Sequence, residues 1–373
     1  MDKILSSERF IFLRWIVKIL SAILIFSIFF LAIDLMAQSL SHIGFGTARE
    51  MIKVAEAPFI ALFVGLLTTA LLQSSSTVTS IAVVMMASGT ITLNIGIFII
   101  MGSNIGTTLT SDIVSLGFVA NKGKFRKALS AGVIHDFFNI LTTMLIFPLE
   151  YYYGFLSKVA TYIAGLLSTQ LSINSDSNSF VNLPGFSPVS NSLYGLFNNY
   201  WILAAFSILL LFISIKVFSR YTYRLLIGAS KDKLKNYVFN NPLKSFSWGL
   251  LLTGILQSSS VTTSLIIPLV ANRKVMLKSI FPYIIGANIG TTITALLAAI
   301  FISEDAISLA VAHLIFNLAG GIVFFVFSIT RNIPVYLASS FGKLASENKL
   351  IGLFYIIFTF FLIPFFLIFL SQR

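Results

Sequence analysis

Long apolar runs alternate with short polar stretches along most of the chain, and seven of the runs reach the ~20 residues with which a helix crosses a bilayer. They lie near residues 10–34, 92–118, 128–156, 200–218, 279–300, 306–329 and 350–370. Two further apolar stretches, 58–88 and 245–271, are each interrupted by the letters QSSS, which leaves arms too short to span. The pattern predicts an all-α integral membrane protein with seven crossings and two re-entrant helical hairpins.

Composition supports this class. Of 373 residues, 57% are apolar and 10% charged, with a mean hydropathy of +0.94, whereas soluble domains average about 45–50% apolar and about 25% charged residues. Basic residues precede the first run, but no small-residue cleavage site follows it, so we expect a retained first helix. The chain has no cysteine, which excludes a disulfide framework and a thiolate metal site.

The net charge of +12 comes from Lys and Arg that cluster in short loops rather than along one face, so we expect no nucleic-acid partner. Membrane topology explains these residues better, because basic loops stay in the cytoplasm. The loops expected there, with the N-terminus, are 119–127, 219–244 and 272–278, and those expected outside are 34–57, 157–199 and 301–305.

The chain contains an internal repeat. Gln73 and Gln257 are 184 positions apart, and so are the asparagines of GSNIGTT at 102–108 and GANIGTT at 286–292. Each copy has a spanning helix, a hairpin and two further helices, and three crossings per copy invert the second relative to the first. Inverted repeats with broken elements near the midplane are typical of secondary transporters, whose substrate lies between the copies.

These boundaries predict four regions. They are a first repeat at 1–156, an external loop at 157–199, a second, inverted repeat at 200–330 and a C-terminal segment at 331–373 with one further helix. Each repeat is expected to contain a re-entrant helical hairpin and a discontinuous transmembrane helix. The side of the C-terminus stays open.

The QSSS stretches fit hairpin tips at membrane depth, which have to be buried in protein or line an aqueous cavity. A helix that begins at such a tip presents free N–H groups and the positive end of its dipole, a site for an oxyanion. Hydroxyl donors for phosphate-like oxygens are Ser74, Ser75, Ser76, Thr77, Ser258, Ser259 and Ser260. The amide oxygens of Gln73 and Gln257 could instead coordinate a hard cation such as sodium.

The two NIGTT segments are expected to break their helices, because glycine permits a kink. They supply further oxygens, of which we assign Thr291 and Thr292 to the substrate and Asn104, Asn288, Thr107, Thr108 and Thr294 to sodium. Neither segment is a nucleotide loop, since no Walker lysine follows. Serine and threonine are also common where membrane helices pack, but two matched tips favour a binding site.

The proposed site holds oxygens and N–H groups without Lys or Arg. An anion or a cation alone is costly in such a pocket, whereas the two together compensate each other. This hypothesis couples an ion gradient to solute movement. For Asp112, an ionisable residue inside a predicted span, a cation site and a structural hydrogen bond stay open.

Two pairs of supporting residues stand four apart on a helical face. They are His135 with Asn139 and His313 with Asn317. We favour interhelical hydrogen bonds for them over substrate contact. With only three dispersed histidines, no transition metal is expected.

The paired QSSS and NIGTT segments, and above all the run from GSNIGTTLTSDIVSLGF through FRKALSAGVIHDFFNILTTMLIFPLE, resemble the type II sodium-dependent phosphate cotransporters and their bacterial relatives. The resemblance covers about 58–156 and 245–330. It implies symport of inorganic phosphate with sodium by alternating access, with no other cofactor. It also implies that Gln257, Ser258, Thr291 and Thr294 lie at or beside phosphate and sodium.

Some positions depart from that pattern. Electrogenic animal members carry an aspartate where this chain has Asn121, and an uncharged residue where it has Asp112. The loop 157–199 lacks the cysteines and glycosylation sequons of animal members, so a multi-pass protein of a bacterial inner membrane is the simpler expectation.

Other functions stay open. A symporter could carry another small oxyanion, such as sulfate, arsenate or a dicarboxylate, and a non-transporting membrane regulatory protein is a second alternative. An enzyme is not expected, since no nucleophile–base pair or metal-ligand cluster is evident in the sequence. The oligomeric state is left open, a homodimer included.

Overall fold

The computed structural model describes residues 57–171, 199–226, 238–300 and 302–371, with scattered positions between 16 and 39 and between 189 and 193. Within these ranges the chain is helical and has no strand, which confirms the all-α class for the described residues. Part of the predicted first crossing at 10–34, including 10–15, and parts of the loops 34–57, 157–199 and 219–244, lie outside the described residues.

The helices follow one another with short connections. They are α1 (Pro58–Leu72), α2 (Ser75–Ala87), α3 (Leu93–Gly106), α4 (Leu109–Leu116), α5 (Lys122–Tyr153), α6 (Phe155–Leu171), α7 (Tyr200–Leu226), α8 (Pro242–Leu256), α9 (Ser259–Ser264), α10 (Ile267–Ala271), α11 (Leu277–Ala299), α12 (Glu304–Gly321), α13 (Ser328–Glu347), α14 (Lys349–Ile357) and α15 (Ile363–Ser371). Two π-helical turns, Ile322–Val326 and Phe358–Leu362, follow α12 and α14.

Within the described residues, five helical stretches are long and apolar enough to cross a membrane. They are Leu93–Leu116, Lys122–Tyr153, Leu277–Ala299, Glu304–Val326 and Lys349–Ser371. All five coincide with predicted crossings, and the chain is a multi-pass membrane protein. The apolar part of α7, Tyr200–Ser214, is shorter, so the crossings at 200–218 and 10–34 stay predictions.

The helices on either side of the first QSSS stretch are short. Helix α1 has 15 residues and α2 has 13, which at 1.5 Å per residue is about 20 Å against a hydrocarbon core of about 30 Å. In the second copy the returning arm is divided into α9 and α10. Pro268 stands at the start of α10, where its missing N–H removes one helical hydrogen bond.

Each hairpin packs closely on the helix that carries its NIGTT segment. A Cβ placed on Gly102 would overlap the carbonyl oxygen of Leu62 in α1, and one placed on Gly286 would overlap that of Phe246 in α8. Small residues let helix backbones approach closely in membrane proteins. The glycines of both copies therefore serve helix packing.

The predicted breaks in these helices are only partly present. Between α3 and α4 the chain tightens at Thr107 and Thr108, which keep helical dihedral angles, with the Thr108 N–H bonded to the carbonyl of Ile105 at 3.2 Å. Helix α11 runs through GANIGTT without interruption, so the expectation of a discontinuous helix in the second copy is wrong. The glycines fit against α1 and α8 instead of kinking their own helices.

The external loop predicted at 157–199 is also corrected, because α6 occupies its first part. Helix α5 ends at Gly154, whose φ of 59° is left-handed. The carboxylate of Glu150 then accepts hydrogen bonds from the N–H groups of Leu156 at 2.6 Å and Ser157 at 3.1 Å, which caps the start of α6. At its other end α5 starts at Lys122 with Asn121 as N-cap, earlier than predicted.

The C-terminal segment holds more helix than predicted. Before the spanning stretch Lys349–Ser371, α13 packs along α5. Gly342 of α13 lies against the α5 backbone, where an added Cβ would meet the Arg126 carbonyl at 2.6 Å. The C-terminal segment therefore packs against the first copy.

Candidate functional site

The two QSSS stretches adopt the same backbone conformation. Gln73 has φ 52° and ψ 34°, and Gln257 has φ 50° and ψ 32°. Both residues end the first arm in the left-handed region, which is uncommon for a residue other than glycine. The next residues, Ser74 and Ser258, are extended and cap the second arm, since their hydroxyls accept from the backbone N–H three residues later at 3.3 Å.

The tips of the two copies touch each other. The hydroxyl of Ser76 donates to the backbone carbonyl of Gln257 at 3.0 Å, across 181 positions of sequence. Thr107 joins both tips, because its hydroxyl donates to Ser75 at 2.7 Å and its carbonyl accepts from Ser260 at 3.4 Å. The structure thus brings together residues predicted for both the substrate and the cation.

Most of the other predicted hydroxyls form hydrogen bonds to residues nearby in the sequence. Thr108, Thr291 and Thr292 donate to backbone carbonyls three or four residues earlier in the chain at 2.7–3.0 Å. The hydroxyl of Thr77 pairs with that of Ser74 at 2.8 Å. Ser259 is buried, and no partner of the Thr294 hydroxyl occurs among the described residues. The oxygens of these residues keep lone pairs that a cation could use.

The two glutamines differ in exposure although their backbones match. Gln73 is exposed, whereas Gln257 is 5% exposed. Of the serines, Ser75, Ser76, Ser259 and Ser260 are buried, and Ser74 and Ser258 are half-buried. The glutamine of the first tip is therefore accessible at the protein surface, whereas the glutamine of the second tip is buried.

A chain of amide and imidazole groups lies beside the tips. The Nε2–H of His135 donates to Asn288 Oδ1 at 2.6 Å, and Asn288 Nδ2 donates to Asn139 Oδ1. Asn139 in turn donates to the carbonyl of Asn104 at 2.6 Å. Asn104 and Asn288, predicted as sodium ligands, are thereby held by the supporting residues of α5.

The supporting pair of the second copy is arranged differently. Neither ring nitrogen of the buried His313 has a hydrogen-bond partner within the described ranges. Asn317 donates to the carbonyl of His313 at 3.3 Å, inside its own helix. These two residues therefore make none of the interhelical bonds that we expected of them.

The carboxylate of Asp112 makes no hydrogen bond to the serine tips within the described residues. It is buried and directed at Asp136 of α5, which in turn accepts from the hydroxyl of Tyr355 in α14 at 2.8 Å. Sequence reasoning gave no role to Asp136 or Tyr355. An ionisable residue inside a span is a candidate for function, which singles out Asp136 in HDFFN without assigning its role, but nothing in the local pattern marks the tyrosine.

Among the described residues, the hydrogen bonds at the tips join only uncharged groups of Ser, Thr and Gln. Among the described residues no three His, Asp or Glu side chains gather in one place. The site offers hydroxyl donors, carbonyl oxygens and the starts of α2 and α9. Such an arrangement can bind an oxyanion and hard cations in contact.

The fold and the site define a class: a multi-pass helical membrane protein in which two polar helix breaks meet. A family model described as Na+/Pi-cotransporter matches residues 28–171 and 210–361. The chain belongs to this family, which confirms the resemblance drawn from the motifs.

Curated relatives agree with the family. The chain is 27% identical, over an aligned 414 residues, to sodium-dependent phosphate transport protein 2A of Rattus norvegicus. It is 26% identical over 432 residues to protein 2B of Homo sapiens, and both matches cover 90% of this chain. The chain spans 65% of the first relative's length and 62% of the second's. No solved structure gives a significant match.

Proposed function

We propose that the protein is a symporter that carries inorganic phosphate together with sodium across the membrane by alternating access. In this proposal 1–156 and 200–330 are inverted repeats, and the substrate and the ions bind where their re-entrant hairpins meet. Family membership and the names of the relatives support the substrate and the coupling ion.

The contact between the two tips carries the proposal. Ser76 reaches the carbonyl of Gln257 at 3.0 Å, so each copy contributes to one site. The matched left-handed glutamines support the repeat, and the shortness of α1 and α2 supports re-entrant hairpins. In the proposed site the serines of both tips, with Thr291 and Thr292, face phosphate, and the glutamine and asparagine oxygens with Thr107, Thr108 and Thr294 face sodium.

Among the described residues, no basic group takes part in the hydrogen bonds at the tips, which explains why phosphate binding would require sodium. An isolated charge buried without a partner costs several kcal/mol or more. A phosphate ion and sodium ions a few ångströms apart attract each other by about 4 kcal/mol at an effective dielectric constant of about 20. Phosphate would therefore bind well only when sodium is present, which couples the two fluxes.

The test is uptake of radiolabelled phosphate into proteoliposomes with an inward sodium gradient or with choline in its place. We expect uptake to require sodium and to fall to background in Gln257→Ala. The variant Gln257→Asn tolerates the left-handed backbone and separates loss of the longer amide from loss of the turn. Thr169→Ala removes an exposed hydroxyl of α6 and serves as the control.

Two results would contradict the proposal. Uptake that is unchanged when choline replaces sodium would remove the coupling, and full uptake by Gln73→Ala and Gln257→Ala would remove the site. Sulfate, arsenate and a dicarboxylate are tested as competitors. If one of them competes better than unlabelled phosphate, the substrate is another oxyanion.

A further inference from the structure

Three buried carboxylates differ sharply in their partners. Glu150 is 1% exposed and accepts from two backbone N–H groups and a serine hydroxyl, so its charge is fully hydrogen-bonded. Asp112 is 0% exposed, and neither of its carboxylate oxygens receives a hydrogen bond from a donor in the described part of the chain. A buried carboxylate without donors is costly, so the charge of Asp112 has to be neutralised, either by a proton or by a bound cation.

The neighbour of Asp112 is a second carboxylate. Asp136 is also 0% exposed, and its Oδ1 has no partner among the described residues, while Oδ2 accepts from Tyr355. The two carboxyl groups are close enough to interact directly. Gly132, one turn before Asp136, makes room for this approach, since a Cβ there would lie 2.7 Å from Asp112 Oδ1.

More oxygens surround the pair. The hydroxyl of Thr108 lies within reach of Asp136, and the backbone carbonyl of Ser111 lies beside Gly132, next to Asp112. No Lys or Arg forms a recorded salt bridge or hydrogen bond with either carboxylate in the described ranges. Two adjacent anions with an oxygen-rich surround and no basic partner have the chemistry of a hard-cation site.

We propose that Asp112 and Asp136 bind one sodium ion between their carboxylates, at a cation site next to the serine tips. The ion offsets one of the two negative charges, and the Tyr355 hydroxyl stabilises the other through its hydrogen bond. The proposal rests on the proposed function only for the identity of the ion. Tyr355 is a positioning residue, supplied by a C-terminal helix outside the two repeats.

The site is connected to the second tip. Ser111, next to Asp112, pairs its hydroxyl with that of Thr263 in α9 at 3.0 Å. An ion that draws α4 towards α5 would therefore also change the position of α4 against the second hairpin. Sodium at this site would prepare the tips for phosphate.

Equilibrium binding of radioactive sodium to the purified full chain, without phosphate, tests the site. We expect Asp112→Asn and Asp136→Asn each to bind one ion fewer per chain than the native protein. Tyr355→Phe should keep the ion with about tenfold weaker affinity, as for loss of a ligand's outer hydrogen bond. Asp305→Asn removes an exposed carboxylate of α12 and should bind as the native chain does.

The outcomes separate this site from the proposed function. An Asp112→Asn protein that binds as many sodium ions as the native chain would overturn the site. The site would also be overturned if the carboxylate pair of the native chain held one proton in place of the sodium ion. Proton release at constant sodium concentration measures this. Gln257→Ala should lose phosphate uptake and keep the ion at Asp112, so failure of phosphate transport alone would leave the site standing. If the asparagine variants do not fold, Asp112→Glu, which retains the charge, is measured in their place.

Discussion

The QSSS turns of the two copies have the same backbone conformation and different surroundings. The backbone at Gln73 and at Gln257 agrees within a few degrees, yet only Gln257 is buried. His135 is bonded to Asn288, while His313, its counterpart, has no partner in the described part of the chain. The sequence repeat therefore specifies the turn, and the contacts between copies are asymmetric in this conformation.

Part of the asymmetry has a cause in the sequence. Thr69 donates to Ser103 at 2.8 Å, but the second copy has Ala287 at the matching position. Thr253 therefore pairs with Thr262 instead, at 2.7 Å, where the first copy has Val78. His135 and His313 also differ in their hydrogen bonds, but no such substitution accounts for that difference. Under the proposed alternating access their roles would be exchanged when the other copy closes.

The largest effect is expected where the copies are most alike. Gly102→Ala and Gly286→Ala each place a Cβ into a backbone carbonyl of the neighbouring hairpin arm. Because a backbone cannot move aside as a side chain can, we expect each to lower the unfolding free energy by about 3 kcal/mol, the upper end for overpacking. Unfolding in mixed micelles measures it, with Gly123→Ala, whose Cβ meets nothing closer than 3.6 Å, as control. A strong effect in only one copy would break the equivalence of the packing.

The next effect should separate the copies. Asn288→Ala leaves the Nε2–H of His135 and the Oδ1 of Asn139 unpaired, and each buried orphan costs about 1–3 kcal/mol. Asn104→Ala removes only a bond from its side chain to the carbonyl of Ile100, since Asn139 bonds to its backbone. The same unfolding measurement should rank Asn288→Ala well below Asn104→Ala in stability. Equal losses would mean that the asymmetry has no energetic weight.

The histidines give a third comparison. His135→Leu orphans the acceptor of Asn288 and should cost about 1–3 kcal/mol. His313→Leu removes a buried polar ring that has no partner in the described ranges, so its stability should be nearly unchanged. If His313 gains a partner in the other state, the phosphate uptake rate of His313→Leu falls all the same. Native uptake by this variant would argue against an exchange of roles.

The smallest effects are expected at the tips. Ser76→Ala and Ser260→Ala each remove one bond between copies, at 3.0 and 3.4 Å, and interhelical bonds in membranes average about 0.6 kcal/mol. The loss of stability should be small and larger for Ser76→Ala, while the KM for phosphate rises in both. Uptake at varied phosphate concentration measures the change. An unchanged KM in both variants would place phosphate away from these hydroxyls.

Much of the architecture could be predicted from the sequence. The length of an apolar run predicts a spanning helix because hydrocarbon thickness sets that length, and five predicted crossings coincide with long apolar helices. The expected break in α11 was wrong, since a glycine that permits a kink and a glycine that permits close packing look the same in a sequence. Helix α6 was missed because the cap that Glu150 provides is formed only when the chain folds back.

The sequence by itself determined the membrane class, the repeat and the position of both tips, since these depend on run length and on local backbone preferences. Only the tertiary structure decided which polar groups find partners. For Asp112 the sequence left a cation site and a structural hydrogen bond open, and the structure places it against Asp136 and, beyond it, Tyr355 of α14. The physical reason is that a hydrogen bond or an ion site depends on distances of about 3 Å between helices, and those distances are set by how the helices pack.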